Sequence, residues 1–247
     1  MSEPVENREE SASGLSGLTG IFFEPGRTFR QIDRNPRWML PLLASIVVGI
    51  AGTLLILQVI DMTEIFRNEM LNSPQGRNMT AEQIDEMAAQ LMQSPWVKAF
   101  QFLGPVFLPI LTTLLVGGLL MALLPIIGGD APFRKVFSVV THGYFFYYAV
   151  ATFLAVLVYH LSPEPNSIHP QNPVFTNPGG LFNRREDALL YQLASSVDLL
   201  SFYRIYLIGV GLSVVAKGLS RAGGIMASAL PYALYVLITV AWTALTG

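Results

Sequence analysis

Four stretches without a single Asp, Glu, Lys or Arg constrain this chain more than any other feature. Residues 38–60, 99–129, 136–163 and 222–247 form charge-free runs of 23, 31, 28 and 26 residues. Each exceeds the ~20 apolar residues that a helix needs to cross a hydrocarbon layer about 30 Å thick. A fifth segment, 199–216, is 18 residues long and carries one charge, Arg204. The pattern predicts an all-α fold: a polytopic membrane protein with five transmembrane helices, near 38–60, 99–127, 136–161, 199–216 and 222–246, plus short amphipathic helices.

Composition agrees and removes several alternatives. Charged residues make up 13% of the chain, against roughly 25% in soluble domains. The hydrophobic share of 52% opposes disorder. With a formal charge of −2 there is no basic field to hold nucleic acid. The absence of cysteine excludes disulfides, thiolate metal sites and a cysteine nucleophile.

The charges that do occur are concentrated. Residues 1–37 carry eleven and residues 61–98 carry nine of the 32 in the chain. The amino-terminal residues are polar and lack the apolar core of a signal peptide, so residues 1–19 are expected to be a disordered cytoplasmic tail, followed by a membrane domain over 20–247. With the amino terminus inside, the segments 1–37, 130–135 and 217–221 hold nine Lys or Arg, and the longer outer segments 61–98 and 164–198 hold five. This is the bias of the positive-inside rule, and it puts the carboxyl terminus outside. The expected location is a bacterial inner membrane.

Three flanking segments have their own signatures. Pro25 suits the first turn of a short helix that sets Phe29 and Ile32 on one side, beside several arginines. Such a helix is expected to lie in the headgroup layer with its apolar side toward the lipid. In the outer insert 61–98, Thr80 and Gln83 have capping-box spacing. Ile84, Met87, Ala88, Leu91 and Met92 then form one apolar stripe, until Ser94 and Pro95 end the helix. That stripe needs a cover, which makes Ile84 and Leu91 candidate interaction residues. The five methionines of this insert share no repeat and read as packing rather than as a soft-metal site. The second outer segment, 162–184, is rich in Pro and Asn and reads as an irregular loop.

Ionisable residues inside a membrane helix are candidate sites in their own right. Arg204 lies 13 residues from Lys217, about 20 Å along a helix. Asp198, six residues earlier, projects about 120° away around the helix, so the two are not natural partners. Arg204 therefore either snorkels outward or meets a partner on another helix. His142 and His160 sit at opposite ends of the third span and cannot share a metal. No His-x-x-x-His, Glu-x-x-His or Gly-x-Ser-x-Gly pattern occurs, so neither an enzyme nor a cofactor is expected. Small residues such as Gly49, Gly52, Gly117, Gly118, Gly209 and Gly211 permit close helix approach, and Pro105 and Pro109 are expected to bend the long second helix.

Four stretches resemble the Yip domain family of integral membrane proteins, named for Ypt/Rab-interacting proteins, and in particular its bacterial branch. They are FEPGRTFRQIDRNPRW at 23–38, FRKVFSVVTH at 133–142, NPVFTNPG at 172–179 and DLLSFY at 198–203, the last followed by Gly209 and Gly211. The last stretch is similar to an Asp-x-Phe-Ser-x-Trp motif, with Leu200 in place of Phe and Tyr203 in place of Trp. The resemblance implies five membrane helices, a cytoplasmic amino terminus and a non-enzymatic role in membrane organisation or partner recruitment. The eukaryotic cytosolic arm and its Asp-Leu-Tyr-Gly-Pro-type motif are missing, so binding of a Rab-type GTPase is not implied.

Two functional readings follow. One is a scaffold or adaptor whose partners are the lipid bilayer and another membrane protein or a second copy of the chain. The other is a channel, a transporter or an accessory subunit of an efflux system. It draws on Asp198, Arg204 and the prolines of the second helix. Tyr203 and His142 complete the set of candidate residues.

Overall fold

In the computed structural model the backbone is described for residues 6–246 apart from 74, 75, 77, 171 and 185. Ten helices are assigned among these residues: α1 (Glu6–Phe23), α2 (Pro25–Arg34), α3 (Met39–Ile56), α4 (Met62–Leu71), α5 (Ala81–Gln93), α6 (Pro95–Leu123), α7 (Phe133–Leu161), α8 (Ala188–Ser195), α9 (Leu199–Val215) and α10 (Arg221–Thr246). Helices α3, α6, α7 and α10 are each long and apolar enough to cross a membrane. A fifth span results if α8 and α9, bent by 40° at a short break, are taken as one. The chain is thus an all-α membrane protein with four to five spans. Pro105 and Pro109 leave α6 an unbroken helix of 29 residues, with Pro95 in its first turn where the missing N–H costs nothing. This span therefore begins four residues earlier than its charge-free run.

Two compact units make up the fold. The first comprises the residues up to Val47, Leu108–Ala149 and Tyr203–Tyr232. Here α1 does not fit the expected disordered tail. Residues 6–19 are helical, and residues 1–5 lie outside the described residues. The helix is tied down at its end, where Ile21 is fully buried and the Phe22 ring meets Phe145 at 5.8 Å and Phe146 at 5.2 Å. Pro25, which has no N–H, then separates α1 from α2.

Helix α2 forms where the sequence places it, but its stripe faces protein rather than lipid. Phe29 is 0% exposed and Ile32 is buried, while Arg27, Arg30 and Arg34 remain outside. Gly211 of α9 makes the seat: a Cβ there would lie 2.7 Å from the Phe29 ring and 2.5 Å from Val139. Lys135 donates to Asp33 at 2.5 Å and joins α2 to the start of α7.

Glycine governs the rest of this unit. A Cβ on Gly209 would stand 2.5 Å from the Ile225 Cα, and one on Gly224 would stand 2.3 Å from the Gly209 carbonyl oxygen. Helices α9 and α10 therefore touch backbone to backbone, which only a missing side chain allows. Ser228 adds a hydrogen bond across the same contact, donating to the Ile205 carbonyl at 2.7 Å. The two short connections of the unit are clipped together by paired backbone bonds, Asp130 N–H to Lys217 O at 3.0 Å and Lys217 N–H to Asp130 O at 2.8 Å. Gly128 and Gly218 bracket this clip at φ 80° and 78°, a backbone region that suits glycine.

The second unit comprises Val48–Phe107, Val150–Phe202 and the residues from Ala233 on. Asp61 caps α4 by accepting from the Thr63 N–H at 2.8 Å, and both halves of the capping box at Thr80 and Gln83 are made. Helices α4 and α5 pack against each other, with Ile65, Ile84 and Ala88 buried. Arg67 and Asp85 form an ion pair at 2.5 Å between them. The Pro- and Asn-rich loop carries two 3-10 turns, Pro165–Ser167 and Pro178–Leu181, and is fixed by side-chain bonds. Asn166 accepts from the Asp61 N–H at 2.8 Å and bonds to Glu64, while Asn172 and Asn177 bond to each other. In α3, Gly49 packs on Pro105 of α6 and Gly52 on Thr152 of α7, the close approaches for which small residues are suited.

Candidate functional site

The most unusual polar group in the spans is the Arg204 guanidinium. It sits half-buried on α9, within the first unit. Its Cζ lies 4.5 Å from the ring centroid of Tyr147, 4.7 Å from Tyr144 and 5.7 Å from Tyr232. Of the two expected outcomes, a partner on another helix is the one observed. That partner is a set of aromatic faces rather than a carboxylate. Tyr144 and Tyr147 are three residues apart on α7 and so share a face; Tyr232 comes from α10, one residue after Pro231.

Energy explains why such a cage is needed. A charged Arg at the centre of a membrane helix costs ~2.5–3.5 kcal/mol on insertion scales. Cation–π contacts contribute ~0.5–2 kcal/mol each, more when desolvated. Three ring faces are therefore of the right order to offset the charge. They supply nothing to the N–H donors, since a π face is not a lone-pair acceptor of the usual kind. Among the described residues no carboxylate lies within 4.0 Å of Arg204 and no residue accepts a hydrogen bond from it.

Asp198 is occupied elsewhere, in the second unit. It is buried at the start of α9, where its Oδ2 accepts from the Ser201 N–H at 2.8 Å as a helix cap. Its Oδ1 accepts from the Thr176 hydroxyl at 2.5 Å, and the Leu199 N–H donates to the Thr176 carbonyl at 3.0 Å. Two of the stretches quoted above, 172–179 and 198–203, thus meet through Thr176 and Asp198. The acid fastens the loop to the helix.

The remaining candidates separate. Tyr203 stacks at 4.9 Å on Phe146 and at 6.0 Å on Tyr206, next to Arg204 in sequence. His142 is buried beneath α1, where a Cβ on Gly17 would come within 3.6 Å of its Nε2. Its Nδ1 is 2.7 Å from the Ser138 carbonyl, which can only accept, so Nδ1 carries the proton. His160 bonds the Val156 carbonyl through its own Nδ1. The stripe of α5 finds its cover within the protein: Ile84 is 0% exposed in the α4–α5 pair, and Leu91 is half-buried. Ile84 is therefore not an open docking residue.

One cluster escaped the sequence reading. Glu69 of α4 accepts from Arg184 at 2.9 Å and bonds to His169 Nδ1 at 3.0 Å, and the Arg184 guanidinium lies 5.4 Å from the Tyr191 ring. Burial pushes the Glu69 carboxyl up, but the His169 and Arg184 hydrogen bonds and charges outweigh it and leave the carboxyl below the ordinary 4.5. The partners are 100 and 115 residues away in sequence, and no local motif marks them. Tyr144 and Tyr147 did carry a signal, the i, i+3 spacing of tyrosines in a span. Among the described residues no three His, Asp or Glu gather where they could hold a metal ion.

The family model described as the Yip1 domain matches residues 19–243, nearly the whole chain. No curated protein and no solved structure matches it. Helices α2 to α10, the Thr176–Asp198 joint and the Arg204 cage all fall within the matched residues, and the chain belongs to the Yip1 domain family.

Proposed function

We propose that the chain is a non-catalytic membrane scaffold or adaptor, one that organises the bilayer or holds a membrane-protein partner. The observation that carries this reading is the use of the polar groups. Asp33 with Lys135, Asp198 with Thr176, and Glu69 with His169 and Arg184 each fasten one element to another. What such a frame presents outward is apolar. On α6, Trp96, Phe100, Leu103, Phe107, Leu111 and Leu114 are exposed at helical spacing, a continuous ridge for lipid or for a partner's span. The excess of Lys and Arg in the segments 1–37, 130–135 and 217–221 supports a cytoplasmic amino terminus and an outer carboxyl terminus in a bacterial inner membrane.

Photo-crosslinking in cells from Trp96, Phe100 or Phe107 tests the proposal. The expected result is one recurrent membrane-protein adduct, or a second copy of the chain, lost when neighbouring ridge residues are changed to Ala. Adducts to lipid alone, with unchanged membrane organisation in cells lacking the protein, would remove it. The 40° break between α8 and α9, with Asp198 at the joint, favours transport as a second reading, because broken helices line substrate sites in carriers. Solute flux in proteoliposomes that is abolished by Asp198→Asn would support that reading over the scaffold.

A further inference from the structure

The Arg204 cage leaves one requirement unmet. Its three tyrosine faces offset a charge, but a guanidinium also carries five N–H donors in one plane. Unbonded donors in an apolar layer are costly. Arg204 has no acceptor among the described residues, and the acid nearest in sequence, Asp198, is engaged with Thr176 and Ser201. Nor is the guanidinium sealed in. Arg204 is half-buried, and none of its nitrogens is among the buried atoms lacking a partner.

Depth along the helix narrows the class of acceptor. Arg204 is five residues from the first residue of α9, a rise of about 7.5 Å. A long side chain at that depth reaches the headgroup layer. There the abundant acceptors are phosphate diesters, and the planar fork of Arg suits two phosphate oxygens at once. The rings of Tyr144 and Tyr147 hold the fork in one orientation, so less freedom is lost when the anion binds.

We propose that Arg204 and its tyrosine cage form a binding site for a phosphate group, carried by a phospholipid headgroup or free in solution. The site is independent of whether the chain acts as a scaffold or a carrier.

Native mass spectrometry of the full chain in detergent tests this, with phosphatidylglycerol and with diacylglycerol of the same acyl chains as probes. Wild type is expected to retain phosphatidylglycerol and to discriminate against diacylglycerol. Arg204→Gln is expected to weaken retention ~10- to 100-fold, the range for losing charge-assisted hydrogen bonds. Tyr144→Leu, which keeps the charge but opens the cage, and Arg204→Lys, which keeps the charge but loses the fork, are expected to weaken it ~3- to 10-fold. These two carry the test if Arg204→Gln does not fold. Displacement of the lipid by inorganic phosphate would assign the site to a soluble anion; failure to displace it, with the Arg204 dependence intact, would assign it to lipid. Equal retention of phosphatidylglycerol by wild type and all three variants, or equal retention of the two probes by wild type, would overturn the proposal.

Discussion

Replacing Gly209 with Ala asks whether α9 and α10 are held by backbone contact. The new Cβ would lie 2.5 Å from Ile225 Cα and 2.7 Å from its nitrogen, atoms that no side-chain rotation can move aside. Restoring an ordinary contact of 3.4 Å requires the helices to separate by about 0.9 Å. Overpacking of this kind costs ~1–3 kcal/mol. The same separation stretches the Ser228 to Ile205 bond from 2.7 Å to beyond the 3.5 Å limit, and a lost hydrogen bond adds ~0.5–1.5 kcal/mol. The expected destabilisation is therefore ~2–4 kcal/mol. Gly118→Ala is the control, since nothing lies within 4 Å of a Cβ there, and Ala is the better helix former by up to ~1 kcal/mol. Because the chain has no cysteine, a single reporter can be placed by Ala227→Cys, at a site that is 1% exposed on α10. Thiol labelling against temperature in detergent then reads the opening of the α9–α10 contact. If Gly209→Ala and Gly118→Ala label at the same temperature as the parent, the close-packing argument is wrong.

Other consequences are open to measurement. Phe29→Ala empties the seat at Gly211 and is expected to cost ~3–5 kcal/mol, seen as protease cleavage between α2 and α3 at temperatures where wild type resists. The lowered pKa of Glu69 means that its stabilising contribution is fully present above the ordinary 4.5 and is lost as pH falls through the lower folded-state value. Thermal stability of wild type and Glu69→Gln should differ by a steady amount above pH ~5 and converge below pH ~4; a gap that widens on acidification would refute the assignment. For orientation, single cysteines at Ser73, Ser167 and Thr246 are expected to react with an impermeant maleimide added outside intact cells, and one at Ser13 is not; the reverse pattern would invert the topology.

Much of the local structure was legible in the sequence. Charge-free runs located the spans, because an ionised side chain in hydrocarbon is too costly to be scattered at random. Thr80 with Gln83 marked the start of α5, and Pro25 that of α2, because capping and missing N–H groups act within one turn. What periodicity could not tell was where an apolar stripe would point. Phe29 and Ile32 were expected to meet lipid, and Ile84 to need an outside cover, yet all three are buried in the protein. Lipid tails and a protein interior are equally apolar, so the same pattern serves for either.

Arg204 divides the two kinds of knowledge most clearly. The sequence by itself determined that a cation would stand in a span with no acid at i+3 or i+4 to pair with it, since both features depend only on order along one helix. Only the tertiary structure decided that tyrosines 57, 60 and 28 residues away would surround it. Contacts of that separation depend on which helices become neighbours, and glycines at 209, 211 and 224 allow those helices to come close enough. The same holds for Asp198, whose place at the start of α9 is local, while its bond to Thr176 exists because the loop folds back onto that helix end.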